Sequence, residues 1–475
     1  MTVKIIGIVL YAVMIIAIGV IGLIRTKSTK DFLLGGGNIG PWMSAFSYGT
    51  AYFSAVLFIG FAGKIGWSFG LSGLWIALFN ALVGVGLVWV LMGWKIKQVS
   101  IKMNVSTMSE FLEGRYGARR LKLLAAIVIF IFLIPYSAAV FMGLSYLFEI
   151  SLGVPYIYVL IGMGVFTALY IVLGGYNSMA MVDVIFGIIM TVSVLILFYF
   201  AVDKGGGVPN ITETLRTIEP KLVAPVGPPG WWPLFALVFL TSVAPFGMPQ
   251  LVQKFYAIRD QRSVKIGAIA STFFAILIGG VAYFLGSTTR FFLSPEGNPS
   301  LFTDKGPNFD KLMPELLTHI VPSSLEIIIL LLILAASMST LASLVLISSS
   351  SFTKDFWQGF VKKNMSDKSA TMMMRYMSAF FVLLAVLFAA VELDVIVEIL
   401  GISWGALGAF FLGPFVWGLL WKRATRMGAY ISGIGGLAVC LILYFTGMPS
   451  PEAGTIGMLT SLVLNPLVSL INPSK

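Results

Sequence analysis

The sequence predicts an all-α polytopic membrane protein with about thirteen transmembrane helices. Three observations carry that expectation. Hydrophobic residues make up 58% of the chain and charged residues 11%. The apolar residues fall in blocks of about 20 or more, the length at which a helix crosses a bilayer. Lysine and arginine gather in alternate loops, as they do on the cytoplasmic side of membrane proteins.

Taken in order, the blocks place spans at approximately 3–24, 40–66, 69–94, 121–148, 155–174, 177–201, 231–253, 264–289, 323–352, 371–391, 395–421, 427–446 and 454–472. The first has one flanking Lys4, lacks a small-residue cleavage pattern and ends in "RTKSTK", so it is expected to stay as a helix and not be removed as a signal peptide. Loops 25–30, 95–122, 254–265, 354–375 and 422–426, with Lys475, hold most of the 31 lysines and arginines. That bias puts the N-terminus outside and the C-terminus in the cytoplasm. The formal net charge of +11 is then a topology signal and implies no nucleic-acid or acidic partner. The single cysteine, Cys440 within a span, excludes an intrachain disulfide framework and a cysteine-rich metal site. The single histidine, His319, ends a loop and reads as solvated.

Two spans should be broken. The second, "SAFSYGTAYFSAVLFIG", has Gly49 and Thr50 near its middle, followed by Tyr52 and Ser54. The seventh, "LTSVAPFGMPQLVQKF", has Pro245, Gly247 and Pro249 just behind Thr241 and Ser242. Proline removes a backbone donor and obstructs the helix, and peptide groups freed at membrane depth are tolerated only where they line a cavity or bind something. Matched interruptions five spans apart predict two five-helix repeats, inverted because an odd number of spans reverses direction. The corresponding boundaries are 1–39 for a first peripheral helix and loop, 40–202 for the first repeat, 203–230 for an extracellular loop, 231–421 for the second repeat, and 422–475 for two peripheral helices. The competing reading is that Gly49 only permits close packing and Pro245 only kinks.

The ninth span, "LLILAASMSTLASLVLISSSSF", carries hydroxyls that need partners inside a bilayer. Ala336, Ser339, Thr340 and Ser343 fall at i, i+3, i+4 and i+7 and form one small, hydroxyl-bearing face. Such a face either lets helices pack closely or offers oxygen ligands to a small hard cation, with carbonyls from a broken helix completing the shell. Asp183 is a carboxylate about two turns inside the sixth span, a functional candidate because an unpaired charge there is costly; capping a helix start or sitting in interfacial water is the alternative. Glu398 and Lys64 lie nearer the outer ends of their spans, where snorkelling suffices.

The motifs "DFLLGGGNIGPWMSAFS" (31–47), "GGYNSMAMVDV" (174–184), "FGMPQLVQKFYAIRD" (246–260), "ILAASMSTLASLVLISSSSFTKD" (333–355) and "ISWGALGAFFLGPFVWGLLWKRATRMGA" (402–429) run in this order along nearly the whole chain. Together they resemble the sodium:solute symporter family, most nearly its sodium/proline branch. The resemblance implies a leucine-transporter-like core, alternating access and Na+-driven solute uptake, with Na+ as the coupling ion. It also implies a Na+ site made by the hydroxyls of Ser339 and Thr340 with the carbonyls of Ala336, Thr50 and Phe53. Asp183 and Ser343 match parts of a second ion site, which Ala342 leaves incomplete, or a proton site. Tyr136 and Ser54 match solute-pocket positions. Tyr52, Thr241 and Pro245 stand where proline-transporting members carry aspartate, tryptophan and tyrosine, and Gly37 replaces the arginine of the usual Gly-Gly-Arg. A pocket of Tyr52, Ser54, Tyr136, Thr241, Pro245 and Trp404 would therefore take a small solute other than proline, an amino acid or organic acid first.

The expected partners are that solute, Na+ and the lipid bilayer, with no nucleic acid and no obligate protein partner. The expected location is a prokaryotic inner membrane. Proton coupling through Asp183 is the nearest alternative. A membrane sensor on the same scaffold would gain from a cytoplasmic domain after the last span, where the sequence reads "INPSK". An enzyme would need clustered reactive side chains inside the bundle, and the sequence offers none.

Overall fold

The computed structural model describes residues 2–304 and 306–472; Lys475, one of the cations used to orient the chain, lies outside them. The structure is nearly all helix, with one short antiparallel β pair, Phe302–Thr303 against Gly306–Pro307. The principal helices are α1 (Thr2–Arg25), α2 (Pro41–Tyr52), α3 (Ala62–Phe69), α4 (Trp94–Met103), α5 (Arg119–Leu152) and α6 (Tyr156–Lys204). They continue as α7 (Trp231–Val243), α8 (Pro249–Ala257), α9 (Gln261–Ser287), α10 (Phe309–Ile320), α11 (Glu326–Ser350), α12 (Asp367–Ala390), α13 (Ile396–Phe411), α14 (Arg426–Phe445) and α15 (Ser450–Ile471).

Ten continuous helical segments among the described residues are long and apolar enough to cross a membrane, or eleven when α7 and α8 count as one bent span. The expected thirteen is thus not a count of continuous helices. The two longest segments, Val56–Met103 and Tyr156–Lys204, run 48 and 49 residues, more than twice what one crossing needs. Each turns at a glycine with positive φ, Gly70 at 59° and Gly175 at 65°, a conformation that costs glycine little and other residues much. Thirteen is reached only when both are divided at those glycines.

The bundle core is built around α11, whose residues from Ile329 to Ser350 are almost all buried. It packs against α5, α6 and α2, so its hydroxyl face has protein on every side. Helix α3 crosses α9 backbone to backbone. A Cβ on Gly66 would lie 1.9 Å from the Gly286 carbonyl carbon, and one on Gly286 would lie 2.1 Å from the Ala62 oxygen. Neither position has room for a side chain.

Helix α10 lies outside the spans, at the end of the bundle away from the basic loops, and pins α13. The buried Asp310 carboxylate accepts the Ile396 N–H at 3.0 Å, at the start of α13 where helix donors are unmatched. Burial raises its pKa to about 7, against the opposing effect of that N–H and of Lys64. The folded protein therefore keeps this proton up to about pH 7, while the unfolded chain releases it near its ordinary value of 3.8. The resulting stability is fully present below that value and is lost as pH rises through 7. Melting temperature should fall between pH 4 and 7, and Asp310→Asn should flatten that slope; an unchanged slope in the variant would count against the assignment.

Candidate functional site

The second span breaks, one turn beyond the position expected. α2 continues through Gly49 and Thr50 and ends at Tyr52; Phe53 leaves the helix at φ −100° and ψ 98°. Gly49 does serve packing, since a Cβ there would meet the Phe274 ring at 2.6 Å. Ser54 then restarts the chain, its hydroxyl accepting the Val56 N–H at 3.2 Å ahead of a wide π-type turn at Val56–Phe61. The seventh span breaks where its prolines predict. α7 tightens into a 3-10 turn at Ala244–Gly247, Met248 is extended, and Pro249 opens α8 at a bend of 42°.

The α11 hydroxyls divide into two groups by what they touch. Ser337 folds back to its own helix, donating to Ile333 O at 2.6 Å, and Ser343 does the same to Ser339 O at 3.1 Å. Ser339 and Thr340 reach outward. The Ser339 hydroxyl donates to Asp183 Oδ1 at 2.6 Å and lies 2.8 Å from the Thr50 hydroxyl, which itself donates to Phe46 O at 2.7 Å. The Thr340 hydroxyl faces two carbonyls at the end of α2, Thr50 O and Ala51 O, each at 3.4 Å. Hydroxyls and carbonyls thus converge where α2 stops, with Phe53 at the break and Ala336 one turn before Thr340 on the same face. An all-oxygen set is what a small hard cation requires, so these residues fit Na+. The Ala51 carbonyl was not among those the resemblance implied.

Asp183 is fully buried, which rules out both the interfacial-water and the helix-start readings. Its Oδ2 accepts from Ser47 at 2.5 Å, and Lys254 Nζ stands 3.8 Å away. Lys254 also donates to Ser47 Oγ at 2.9 Å and sits 5.2 Å from the Tyr176 ring centre. Sequence reading had placed Lys254 among loop cations; it is 1% exposed, inside the bundle. Its signal was an ammonium on the helix that follows the Pro-Gly-Pro break. Ser343 makes no hydrogen bond to Asp183 among the described residues: beyond its back-bond it meets the Met179 sulfur at 3.5 Å, which Lys254 Nζ also approaches at 3.7 Å. The cation beside this carboxylate is Lys254.

Beside the two breaks lies a small cavity of about 30 Å³, room for about one water. Tyr52, Ser54, Tyr136, Thr241 and Trp404 line it as expected, and Asn80 and Tyr283 join them. Pro245 is not among the lining residues. Tyr52 ties the broken spans together, its hydroxyl donating to Thr241 O at 2.6 Å. Trp404 stacks edge-on against both Tyr52 and Tyr136, with ring centres 5.9 Å apart in each case. Asn80 is fixed by the Ser242 hydroxyl, which donates to its Oδ1 at 2.9 Å.

Toward the end away from the basic loops, Lys64 and Glu398 do not simply snorkel. They pair at 2.8 Å, joining α3 to α13, and Glu398 also accepts the Ser450 N–H at 2.9 Å. The pair borders an outer cavity of about 240 Å³.

The sodium:solute symporter family profile matches residues 32–436. The chain belongs to the sodium:solute symporter family. It is 27% identical over 461 residues to the sodium/proline symporter of Salmonella typhimurium, covering 91% of this chain and 86% of that one. It is 29% identical over 485 residues to the sodium/pantothenate symporter of Escherichia coli, covering 97% and 96%. A solved Na+-coupled sialic acid symporter, in a substrate-bound outward-open state, superposes with a TM-score of 0.81 at 19% identity, covering 99% of this chain and 98% of that one. The symporter fold is therefore shared, including the leucine-transporter-like core. This family member is a membrane transporter that couples solute movement to Na+.

Proposed function

We propose that this symporter moves one small carboxylate-bearing solute together with Na+ by alternating access, inward across a prokaryotic inner membrane with the basic loops in the cytoplasm. The observation that carries the reading is the meeting of the Ser339 and Thr340 hydroxyls with the end of α2 at its break. There Na+ would be held by Ser339 and Thr340 with the carbonyls of Thr50, Phe53 and Ala336. Tyr52 and Ser54, on the solute side of the same break, link ion and solute through one piece of backbone. A ligand shifts a two-state equilibrium only by its differential affinity, so both must favour the same state, and a shared break gives them the means.

The cavity lining is neutral: hydroxyls, an amide and an indole N–H, with no charged side chain. A multiply charged solute would be uncompensated there, whereas a single carboxylate is offset by the Na+ beside it. Proline and pantothenate, the solutes named for the two relatives, each carry one carboxylate. Tyr52 and Thr241, at the departures from the proline branch, shape this cavity, which favours a solute other than proline.

Purified protein should melt at higher temperature in NaCl than in choline chloride at equal ionic strength and pH, because an ion that binds only the folded state stabilises it by mass action. Indifference to Na+ combined with a response to pH would favour proton coupling through Asp183.

A further inference from the structure

At the face that carries the basic loops, a chamber of about 600 Å³ opens beneath α8. Its walls carry four cations, Lys30, Lys97, Arg259 and Lys354, against one carboxylate, Asp367. Two of the cations are already matched: Lys354 pairs with Glu110 at 3.0 Å, and Arg259 with Asp260 at 2.8 Å. Lys97 is different. It is 7% exposed, yet its ammonium meets only two backbone carbonyls, Gly37 O at 3.1 Å and Tyr256 O at 3.0 Å. No carboxylate among the described residues lies within ion-pair distance of it.

A buried ammonium normally has an anionic partner, because carbonyl dipoles offset only part of the lost hydration. The preference for cations in cytoplasmic loops does not account for Lys97: cations of that kind stand in water, whereas this one is buried in the first turn of α4. The chamber also adjoins the transport machinery. Tyr256, which holds Lys97, is two residues beyond Lys254 on α8. Gln253 donates to Leu33 O at 2.9 Å, fastening the chamber wall under the same half-helix.

We infer that this chamber is a binding site for the carboxylate of the departing solute, received by Lys97 with Lys30 as the second, solvent-facing cation. With two of its three N–H groups engaged by carbonyls, Lys97 has one to offer, which suits one oxygen of a monoanion better than a phosphate dianion. A dianion would also have to pass a central cavity without a charged side chain. The direction of travel rests on the symport reading; the binding does not.

The test is a titration of purified protein with potassium pyruvate against potassium chloride at constant ionic strength, in choline medium and again in Na+, reading melting temperature. The parent should show a saturable rise in choline. Lys97→Met should weaken the apparent dissociation constant about tenfold, and Lys97→Arg, which keeps the charge, by less than about threefold. Lys30→Gln, at an exposed position, should weaken it about two- to fourfold. An unchanged constant in either charge-removing variant overturns the inference, so it stays testable if Lys97→Met does not fold. No saturable response to pyruvate, or a response to potassium phosphate alone, overturns it as well. The Na+ response of the same samples reports on the symport reading separately: a protein stabilised by Na+ and indifferent to pyruvate keeps that reading and loses this one.

Discussion

Ser339→Ala/Thr340→Ala is expected to abolish the Na+-dependent rise in melting temperature that the parent shows. At 100-fold saturation a bound ion stabilises the folded state by about 2.7 kcal/mol, so the loss should be large. The comparison has to be between Na+ and choline within each protein. Removing the Ser339 hydroxyl also leaves Asp183 Oδ1 without its donor, which lowers the baseline by about 1–3 kcal/mol whatever the ion does. Ser337→Ala is the matched control, because that hydroxyl only bonds back to Ile333 O in its own helix. It should keep the full Na+ response. A double variant that still responds to Na+ as the parent does would move the ion elsewhere and leave the stripe as packing.

The second large effect is expected at Lys254. Replacing it with methionine strips the only ion-pair partner among the described residues from a carboxylate that is fully buried and hydrogen-bonded by Ser47 and Ser339. Breaking one side of a buried pair costs about 3–5 kcal/mol, so Lys254→Met should be markedly less stable in choline. It should also gain more from Na+ than the parent gains, because the carboxylate freed of its ammonium becomes an anionic ligand for the added cation. Lys254→Met/Asp183→Asn, which removes both charges, should recover most of the stability and lose the extra Na+ gain. Thermal unfolding of the three proteins across a Na+ series measures this. A single variant as stable as the parent, with no added Na+ response, would show that Lys254 does not compensate Asp183.

Several parts of the site were legible because they are local. The Pro245-Gly247-Pro249 run breaks a helix wherever it is placed, and 3.6-residue periodicity fixes which α11 hydroxyls share a face. What lies across from that face is not local. Ser339 and Ser343 share that face, yet Ser343 folds back on its own helix while Ser339 spans 156 residues to Asp183. The break in the second span was misplaced by one turn for the same reason. Gly49 looks like a break but accommodates Phe274, and the true break at Phe53 follows no helix-breaking residue. Lys64 and Glu398, 334 positions apart, gave no sign that they meet.

The sequence by itself determined the membrane class, the interrupted spans, the hydroxyl face and the family, because hydropathy, proline and periodicity act through near neighbours. Only the tertiary structure decided the rest. It turned Lys254 from a loop cation into the partner of Asp183, left Pro245 out of the cavity lining, and buried Lys97 with no counter-charge among the described residues. Burial and pairing of a charge depend on which helices pack together, and long-range packing is fixed by the whole bundle, not by the residues that flank the charge.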